Sequence, residues 1–171
     1  MNTEDALGTV LRGNVEALVR ALLELTPRAA RHEAAHAVAA HLVGGRVIAV
    51  AIIPRRDESG WVDGDCHWRP GPTTTLRDRA VVALAGAVAS NGGGHGDERF
   101  ARTVADELVE QWREEARELV EQHRPMIERL AAALLERREL AEDEVRAILS
   151  ASDEEPPVVD ASRVDAVEAP G

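Results

Sequence analysis

The chain has 171 residues, 44% of them hydrophobic but only 2% aromatic, and it carries a net charge of −11 at neutral pH. This length suits one domain, and a core with so few aromatic residues has to be packed from Ala, Leu and Val, which favours helices. Because binding to nucleic acid requires a basic surface, the strong negative charge argues against nucleic acid as a partner.

Cysteine content and apolar runs bear on the cellular compartment. Cys66 is the only cysteine, so an internal disulfide is excluded and a reducing environment is expected. The opening residues MNTEDALGTV lack the basic and apolar regions of a secretory signal. The longest uncharged run, Ala80 to Gly94, is shorter than the roughly 20 apolar residues that a spanning helix needs. We therefore expect a cytoplasmic protein without membrane insertion.

Residues 1–25 carry an apolar stripe at alternating spacings of four and three, which predicts an amphipathic helix. The stripe consists of Leu11, Val15, Leu18, Leu22 and Leu25. Such a face has to pack on something. It can dock on the same domain, or it can serve self-association or a partner helix, because coiled-coil seams use the same spacing.

A helix and a small sheet are predicted next. Thr26 and Pro27 form an N-cap and first-turn pair, and Gly44 with Gly45 supplies the stop, so the helix is expected from about Pro27 to Val43. The β-rich run RVIAVAIIP follows it. The segment GWVDGDCHW is predicted to be the antiparallel neighbour of that run, across the polar loop RRDESG.

Helical patterns dominate the remainder of the chain. Threonines 73–75 precede LRDRAVVALAGAVAS, an apolar helix that ends at the loop NGGGHG. A long helix is expected from Asp97 to about Gln122 and is bent or restarted around Pro125 before it continues to Arg138. A short last helix is predicted near residues 142–149.

The predicted organisation is one domain at 26–150, preceded by the N-terminal helix at 1–25. Residues 151–171 contain six acidic residues, three prolines and one arginine, a composition typical of a disordered acidic tail. The predicted fold class is α+β, mainly α with a small β-sheet.

The helix after Thr26 contains His32, Glu33 and His36 in an otherwise apolar segment, RHEAAHAVAA. Residues at i and i+4 lie on the same helical face, so His32 and His36 can direct two imidazoles at one metal ion. Glu33 is offset around the helix and can reach a water molecule in the open position of that metal. This HExxH pattern indicates a zinc site. The alternative is a pair of hydrogen-bonded core histidines with Glu33 complementing the helix N-terminus.

A catalytic zinc ion usually has three protein ligands, so a third ligand is expected from elsewhere in the chain. Zinc chemistry permits His95, Asp97 and Glu98 and, less readily, His67 or Cys66. Positions four, seven and eleven after Asp97 are apolar, which places Asp97 at the head of a buried stripe, whereas Glu98 precedes Arg102 at the same spacing. We therefore predict Asp97 as the third ligand. Its alternative role is that of a first-turn acid favourable to the helix dipole.

A family resemblance becomes visible in the order of these segments. ARHEAAHAVAAHLVGGRVIAVAIIPR, GWVDGD, RDRAVVALAGAVAS, GDERFARTVADELV and the closing ARELVEQHRPMIERLAAALLERRELAEDEVRAIL resemble the zinc peptidase domain of FtsH-type membrane AAA+ proteases. The likeness spans about 27–149. It implies Zn²⁺ bound by His32, His36 and Asp97, with Glu33 as the catalytic glutamate, and a zincin-like HExxH helix packed in a helical bundle.

The sequence departs from the family at several points. Ala35 stands where the family has Gly in HEAGH, AGAVASN replaces the usual G-G-R-x-A-E-E, and a long stretch before the closing helices is missing. A Walker-type glycine loop and a transmembrane segment are also lacking, so ATP-driven unfolding is not expected in this chain. The expectation is a stand-alone peptidase module.

The resemblance implies a zinc metalloendopeptidase that hydrolyses unfolded or partner-delivered protein segments, with an AAA+ ATPase partner or a homo-oligomer as the delivering assembly. Its polypeptide substrate is expected to lie along the edge of the VIAVAII strand, because strand addition holds a peptide by its main chain. The alternative is a non-catalytic interaction or scaffold protein that keeps the fold and the metal. A closed fourth metal position favours the scaffold, and a water there favours the enzyme.

Overall fold

A computed structural model describes residues 26–52, 55–57, 60–62, 64–91 and 95–151. The predicted N-terminal helix at 1–25 and nearly all of the predicted acidic tail lie outside the described residues. Within the described part, the helices fall short of the length and apolar character needed to cross a bilayer. The described part is mostly helical with a small antiparallel sheet, which confirms the predicted α+β class.

The described part of the chain folds into helices and short strands. In chain order they are α1 (26–42), β1 (Arg46–Ala51), β2 (Arg55–Asp57), β3 (Gly60–Val62), β4 (Asp65–Arg69), α2 (Leu76–Ala89), α3 (His95–Ala105), a 3-10 turn (Asp106–Leu108), α4 (Val109–Gln122), α5 (Arg124–Arg137), β5 (Glu139–Ala141) and α6 (Glu142–Ser150).

Helix α1 ends as its glycines predict. Gly44 takes a left-handed conformation with φ of 76°, and its N–H donates to the carbonyl of His41. The N–H of Gly45 donates to the carbonyl of Ala40 at 2.8 Å. Before this C-terminal end, the alanines and valine at 34–35 and 37–40 are fully buried. The small side chains let neighbouring elements approach α1 closely, so the motif helix lies in the centre of the molecule.

The sheet differs from its prediction in two ways. β1 is the central strand in the order β4-β1-β5, with both neighbours antiparallel. Residues 55–57, predicted as part of a loop, form β2 and pair with β3 in a separate hairpin, so only β4 from the predicted neighbour pairs with β1. β5 was missed. It starts after Arg138, which ends α5 in a left-handed conformation. The carbonyl of Arg138 accepts a hydrogen bond from the N–H of Ile52.

The helices after the sheet follow most of their predictions. Thr75 and Asp78 form a capping box at the start of α2, α5 starts at Arg124 with Pro125 in its first turn, and α6 ends at Ser150. The long helix expected from Asp97 is wrong. Ala105 takes an extended backbone with φ of −164°, and the 3-10 turn separates α3 from α4.

Two groups of buried apolar side chains form the core. The sheet-side cluster joins α1, the sheet, α5 and α6, and its largest fully buried members include Val50, Ile52, Leu130, Leu134 and Leu140. The α3–α4 cluster contains Ala80, Val81, Leu84, Ala101, Val109, Trp112 and Ala116. α2 contributes to both clusters, through Val82 and Ala85 on one side and Ala80 and Leu84 on the other. α2 therefore packs against α1 with one face and against α3 and α4 with the other.

Candidate metal centre

Three potential ligands meet between α1 and α3. Nε2 of His32 lies 3.0 Å from Nε2 of His36 and 3.1 Å from Oδ2 of Asp97. Nε2 of His36 lies 3.4 Å from the same carboxylate oxygen. The structure thus brings together the three residues that the sequence analysis named, and their ligand atoms all lie within 4.8 Å of one another.

The spacing of these atoms fits a small tetrahedral metal ion. Zinc binds imidazole nitrogen and carboxylate oxygen at about 2.0–2.2 Å, so two ligand atoms on one tetrahedral ion are about 3.3–3.5 Å apart. The observed separations of 3.0–3.4 Å are close to that edge length. Two imidazoles and one carboxylate are also ligand types that zinc prefers.

The hydrogen-bond network assigns the tautomer of both imidazoles. Nδ1 of His36 lies 2.8 Å from the carbonyl oxygen of Val82, which can only accept, so this nitrogen carries a proton. Nδ1 of His32 lies 3.2 Å from Oγ of Ser90, whose hydroxyl donates to the carbonyl of Gly86 at 2.9 Å. Both Nε2 atoms are therefore left with lone pairs that face each other and the Asp97 carboxylate. Such an arrangement requires a shared proton or a cation at its centre.

The electrostatics of the cluster reflect the same crowding. Burial opposes ionisation of Asp97, but the hydrogen bonds and the positive charge that His32 and His36 supply when protonated outweigh burial and hold the pKa of the carboxyl far below its usual value. Burial likewise opposes protonation of His36, yet Asp97 and Glu33 outweigh it and raise the pKa of the imidazole. Positive charge is thus favoured at the centre of the cluster.

Gly86 of α2 gives the two imidazoles their room. A Cβ at this position would overlap Nε2 of His36 and would lie 2.6 Å from its Cε1 and 2.9 Å from Cε1 of His32. A methyl group there would force the ligand edges to move. The glycine therefore lets the ligand edges of both rings rest on the backbone of α2.

Glu33 is buried beside the cluster, with 7% of its surface exposed. The pKa of its carboxyl is raised, chiefly because burial disfavours the charged form. The charges of His36 and His32 oppose this shift, and the negative charges of Asp97 and Asp65 add to it. Gly64, immediately before β4, allows this packing, because a Cβ there would lie 2.6 Å from Cγ of Glu33. A buried carboxylate next to the ligand set is suited to exchange a proton with a bound water.

The other candidate ligands do not join the described cluster. Glu98 pairs with Arg102 at 2.8 Å and with Arg113 at 3.3 Å, as its outward position predicts. His67 is exposed on β4, and Cys66 points inward towards the sheet-side cluster, where burial raises the pKa of its thiol well above the usual value. The side chain of His95 lies outside the described residues.

The sequence analysis missed the supporting residues on α2. Val82, Gly86 and Ser90 recur every fourth residue, so they form one stripe along the helix that faces His36 and His32. The signal was present in AGAVASN, where a glycine and a serine four residues apart interrupt an apolar helix. Its meaning depends on α1 and α2 being neighbours, which the local sequence does not show.

Comparison of the sequence with models of known protein families gave no match, and comparison with characterised proteins gave none either. A functional conclusion therefore rests on the geometry of the site and on the motifs.

Proposed function

We propose that this protein is a zinc-dependent metalloendopeptidase that cleaves peptide bonds in unfolded or partner-delivered protein segments. The observation that carries the proposal is the convergence of His32, His36 and Asp97, whose ligand atoms all lie within 4.8 Å of one another, beside the buried carboxylate of Glu33. Two imidazoles and one carboxylate are a ligand set of catalytic zinc sites, and a glutamate next to such a set is suited to exchange a proton with a bound water.

The residues of the site have separate roles in this proposal. His32, His36 and Asp97 would hold a zinc ion, which would act as the Lewis acid for the scissile carbonyl and lower the pKa of a bound water. The Glu33 carboxylate accepts a proton from the attacking water and transfers it to the leaving amine.

The position proposed for the substrate has to change from the one predicted. The C-terminal half of β1 does not offer a free edge, because Ala49–Ala51 are paired with β4 on one side and with β5 on the other. Within the described strands, β4 lies at the edge of the three-stranded sheet, and Gly64 at its start packs on Glu33. An extended peptide added to β4 would be held by its main chain next to the catalytic glutamate, so cleavage would be weakly sequence-selective.

The resemblance to FtsH-type peptidase domains supports this function and the zincin-like placement of the HExxH helix. In that family an ATPase unfolds the substrate. The proposal therefore includes delivery by an AAA+ partner or an assembly of several copies, and it limits the isolated chain to peptides and unfolded segments.

Glu33→Gln tests the proposal directly. The variant is expected to keep its zinc and its fold while losing activity by about 100-fold to 10,000-fold, the loss typical of removing a positioned proton-transfer group. Zinc content, melting temperature and cleavage of unfolded casein are compared with the wild type. Glu128→Gln is the control, because Glu128 pairs with Arg31 in an exposed position.

The scaffold alternative predicts a different result. In a non-catalytic protein, Glu33→Gln is nearly silent or slightly stabilising, because a neutral amide is easier to bury than a carboxylate. Equal cleavage by wild type and variant contradicts the catalytic role of Glu33. Absence of cleavage by both, even with a candidate ATPase, supports the scaffold.

A further inference from the structure

Each imidazole of the candidate centre has a partner behind it on α2, and the two partners differ. His36 donates from Nδ1 to a main-chain carbonyl, that of Val82, which no substitution removes without moving the helix. His32 donates from Nδ1 to a side chain, the hydroxyl of Ser90. The hydrogen bond at Nδ1 of His32 therefore depends on a replaceable side-chain atom, Oγ of Ser90.

The Ser90 hydroxyl is itself held in one orientation. Ser90 is buried with 8% of its surface exposed, and its hydroxyl donates to the carbonyl of Gly86 one turn earlier at 2.9 Å. The backbone N–H of Ser90 donates to the same carbonyl at 3.1 Å. Because the hydroxyl proton is used in this bond, Oγ presents a lone pair to His32, and the imidazole has to carry its proton on Nδ1.

We propose that Ser90 is the positioning residue of the metal centre, which selects the Nδ1–H tautomer of His32 and aims its Nε2 lone pair at the ion. The inference rests on the proposed metal site and adds a residue outside the HExxH motif and its third ligand. Outer partners of metal-binding histidines orient the ring and set its basicity, and their loss typically costs about 10–100-fold in metal affinity.

The neutral character of both partners has a further consequence for affinity. A carboxylate behind a ligand histidine makes the imidazole more basic and strengthens its bond to the metal. Here a hydroxyl and a peptide carbonyl take that place, and Asp97 is the single anion among the three ligands. We therefore expect weaker zinc binding than in a site whose histidines donate to carboxylates.

The test is the zinc affinity of Ser90→Ala in the full chain, measured by competition with a chromophoric chelator. We expect the dissociation constant to rise about 10–100-fold. Ser90→Thr keeps a hydroxyl at the same position and is expected to restore affinity to within about threefold of the wild type. Unchanged affinity in Ser90→Ala overturns the proposal, and so does an equal loss in Ser90→Thr with the fold intact.

Thr103→Ala is the matched control. Oγ1 of Thr103 donates to the carbonyl of Arg99 one turn earlier on α3, the same bond within a helix, but it is exposed. Thr103→Ala removes the same kind of intrahelical hydrogen bond at a hydroxyl that contacts solvent rather than a ligand histidine. Zinc affinity should stay unchanged in this variant. An equal loss in both variants assigns the effect to helix stability and overturns the positioning role.

A spectroscopic measurement tests orientation without any reference to activity. In the zinc-loaded wild type, proton NMR should show two slowly exchanging imidazole Nδ1–H signals, one for each histidine. Ser90→Ala should lose the signal of His32 to solvent exchange and keep that of His36, which remains bonded to Val82. Retention of both signals overturns the proposal. Because neither readout needs catalysis, a protein without peptidase activity still gives a result for Ser90.

Discussion

At the scale of single residues, the direction in which each acid of α3 faces selects Asp97 rather than Glu98 as the candidate third ligand. Asp97 lies beside His32, whereas the adjacent Glu98 is turned away and pairs with Arg102 and Arg113. One residue along a helix rotates the side chain by about 100°, which is enough to exchange a ligand for a surface ion pair.

Asp97→Asn is therefore expected to weaken zinc binding by more than the roughly 10–100-fold that loss of an outer partner costs, because it removes the anionic ligand itself. Glu98→Gln should leave affinity unchanged and provides the control from the same helical turn. Metal content after dialysis and a chelator titration measure both. A comparable loss in Glu98→Gln contradicts the assignment, and loss in His95→Ala with retention in Asp97→Asn makes His95 the third ligand.

The residues of the centre differ in how far the sequence predicts them. His32 and His36 follow from spacing within one helix, and Asp97 from the apolar positions after it. Ser90 does not, because its contact joins two helices across 58 positions of the chain. The prediction of a buried apolar stripe after Asp97 was also only partly right. Ala101 is buried, but Leu108 is exposed because the 3-10 turn rotates it out of register.

At the scale of elements, α2 packs directly against the part of α1 that carries His32 and His36. Gly86→Ala tests this role. An alanine gains about 1 kcal/mol over glycine in helix propensity, but its methyl would collide with the rings of His36 and His32. We expect a fold that stays intact with zinc affinity lowered about 10–100-fold, as for other changes that misplace a ligand histidine.

Gly96→Ala is the control for that substitution. Gly96 lies in the first turn of α3, next to Asp97, and a Cβ built there meets no atom within 4 Å. The same change of residue type is expected to keep zinc affinity and to leave stability equal or slightly higher. If Gly86→Ala binds zinc like the wild type, the close approach of the imidazoles to α2 is not required for the site.

The elements that the sequence missed are short and depend on distant partners. β5 has three residues, and its pairing with β1 brings together parts of the chain about 90 positions apart. The strand pattern of residues 139–141 is too brief to stand out between two helices. The helices with clear caps, such as Thr75 before α2 and Gly44 after α1, were predicted to within one or two residues because their signals are local.

At the scale of the whole molecule, the candidate ligands belong to parts of the protein with different cores. α1 is packed into the sheet-side cluster, whereas α3, through Ala101, is packed into the α3–α4 cluster. His32 and Asp97 are 65 positions apart in the chain. A metal ion bound by His32 and Asp97 would therefore link the two clusters, in addition to any catalytic role.

Metal removal should consequently destabilise the protein unevenly. Zinc at 100 times its dissociation constant stabilises the folded state by about 2.7 kcal/mol, which corresponds to a melting temperature higher by roughly 5–10 °C. Hydrogen exchange should rise on chelation mainly in α3 and much less in β1, which is hydrogen-bonded on both sides. Equal protection of α3 with and without zinc contradicts the link between the clusters.

The break at Ala105 bears on how zinc binding would be coupled to the position of α3. Because an extended residue and a 3-10 turn separate α3 from α4, α3 is a separate eleven-residue helix that carries Asp97 in its first turn and packs into the α3–α4 cluster through Ala101. If zinc is bound by Asp97, thermodynamic reciprocity requires that a contact that stabilises this position of α3 also strengthens zinc binding, and that a contact that displaces α3 weakens zinc binding by the same free energy. A partner that binds α3 outside the site would then change zinc occupancy without touching the metal.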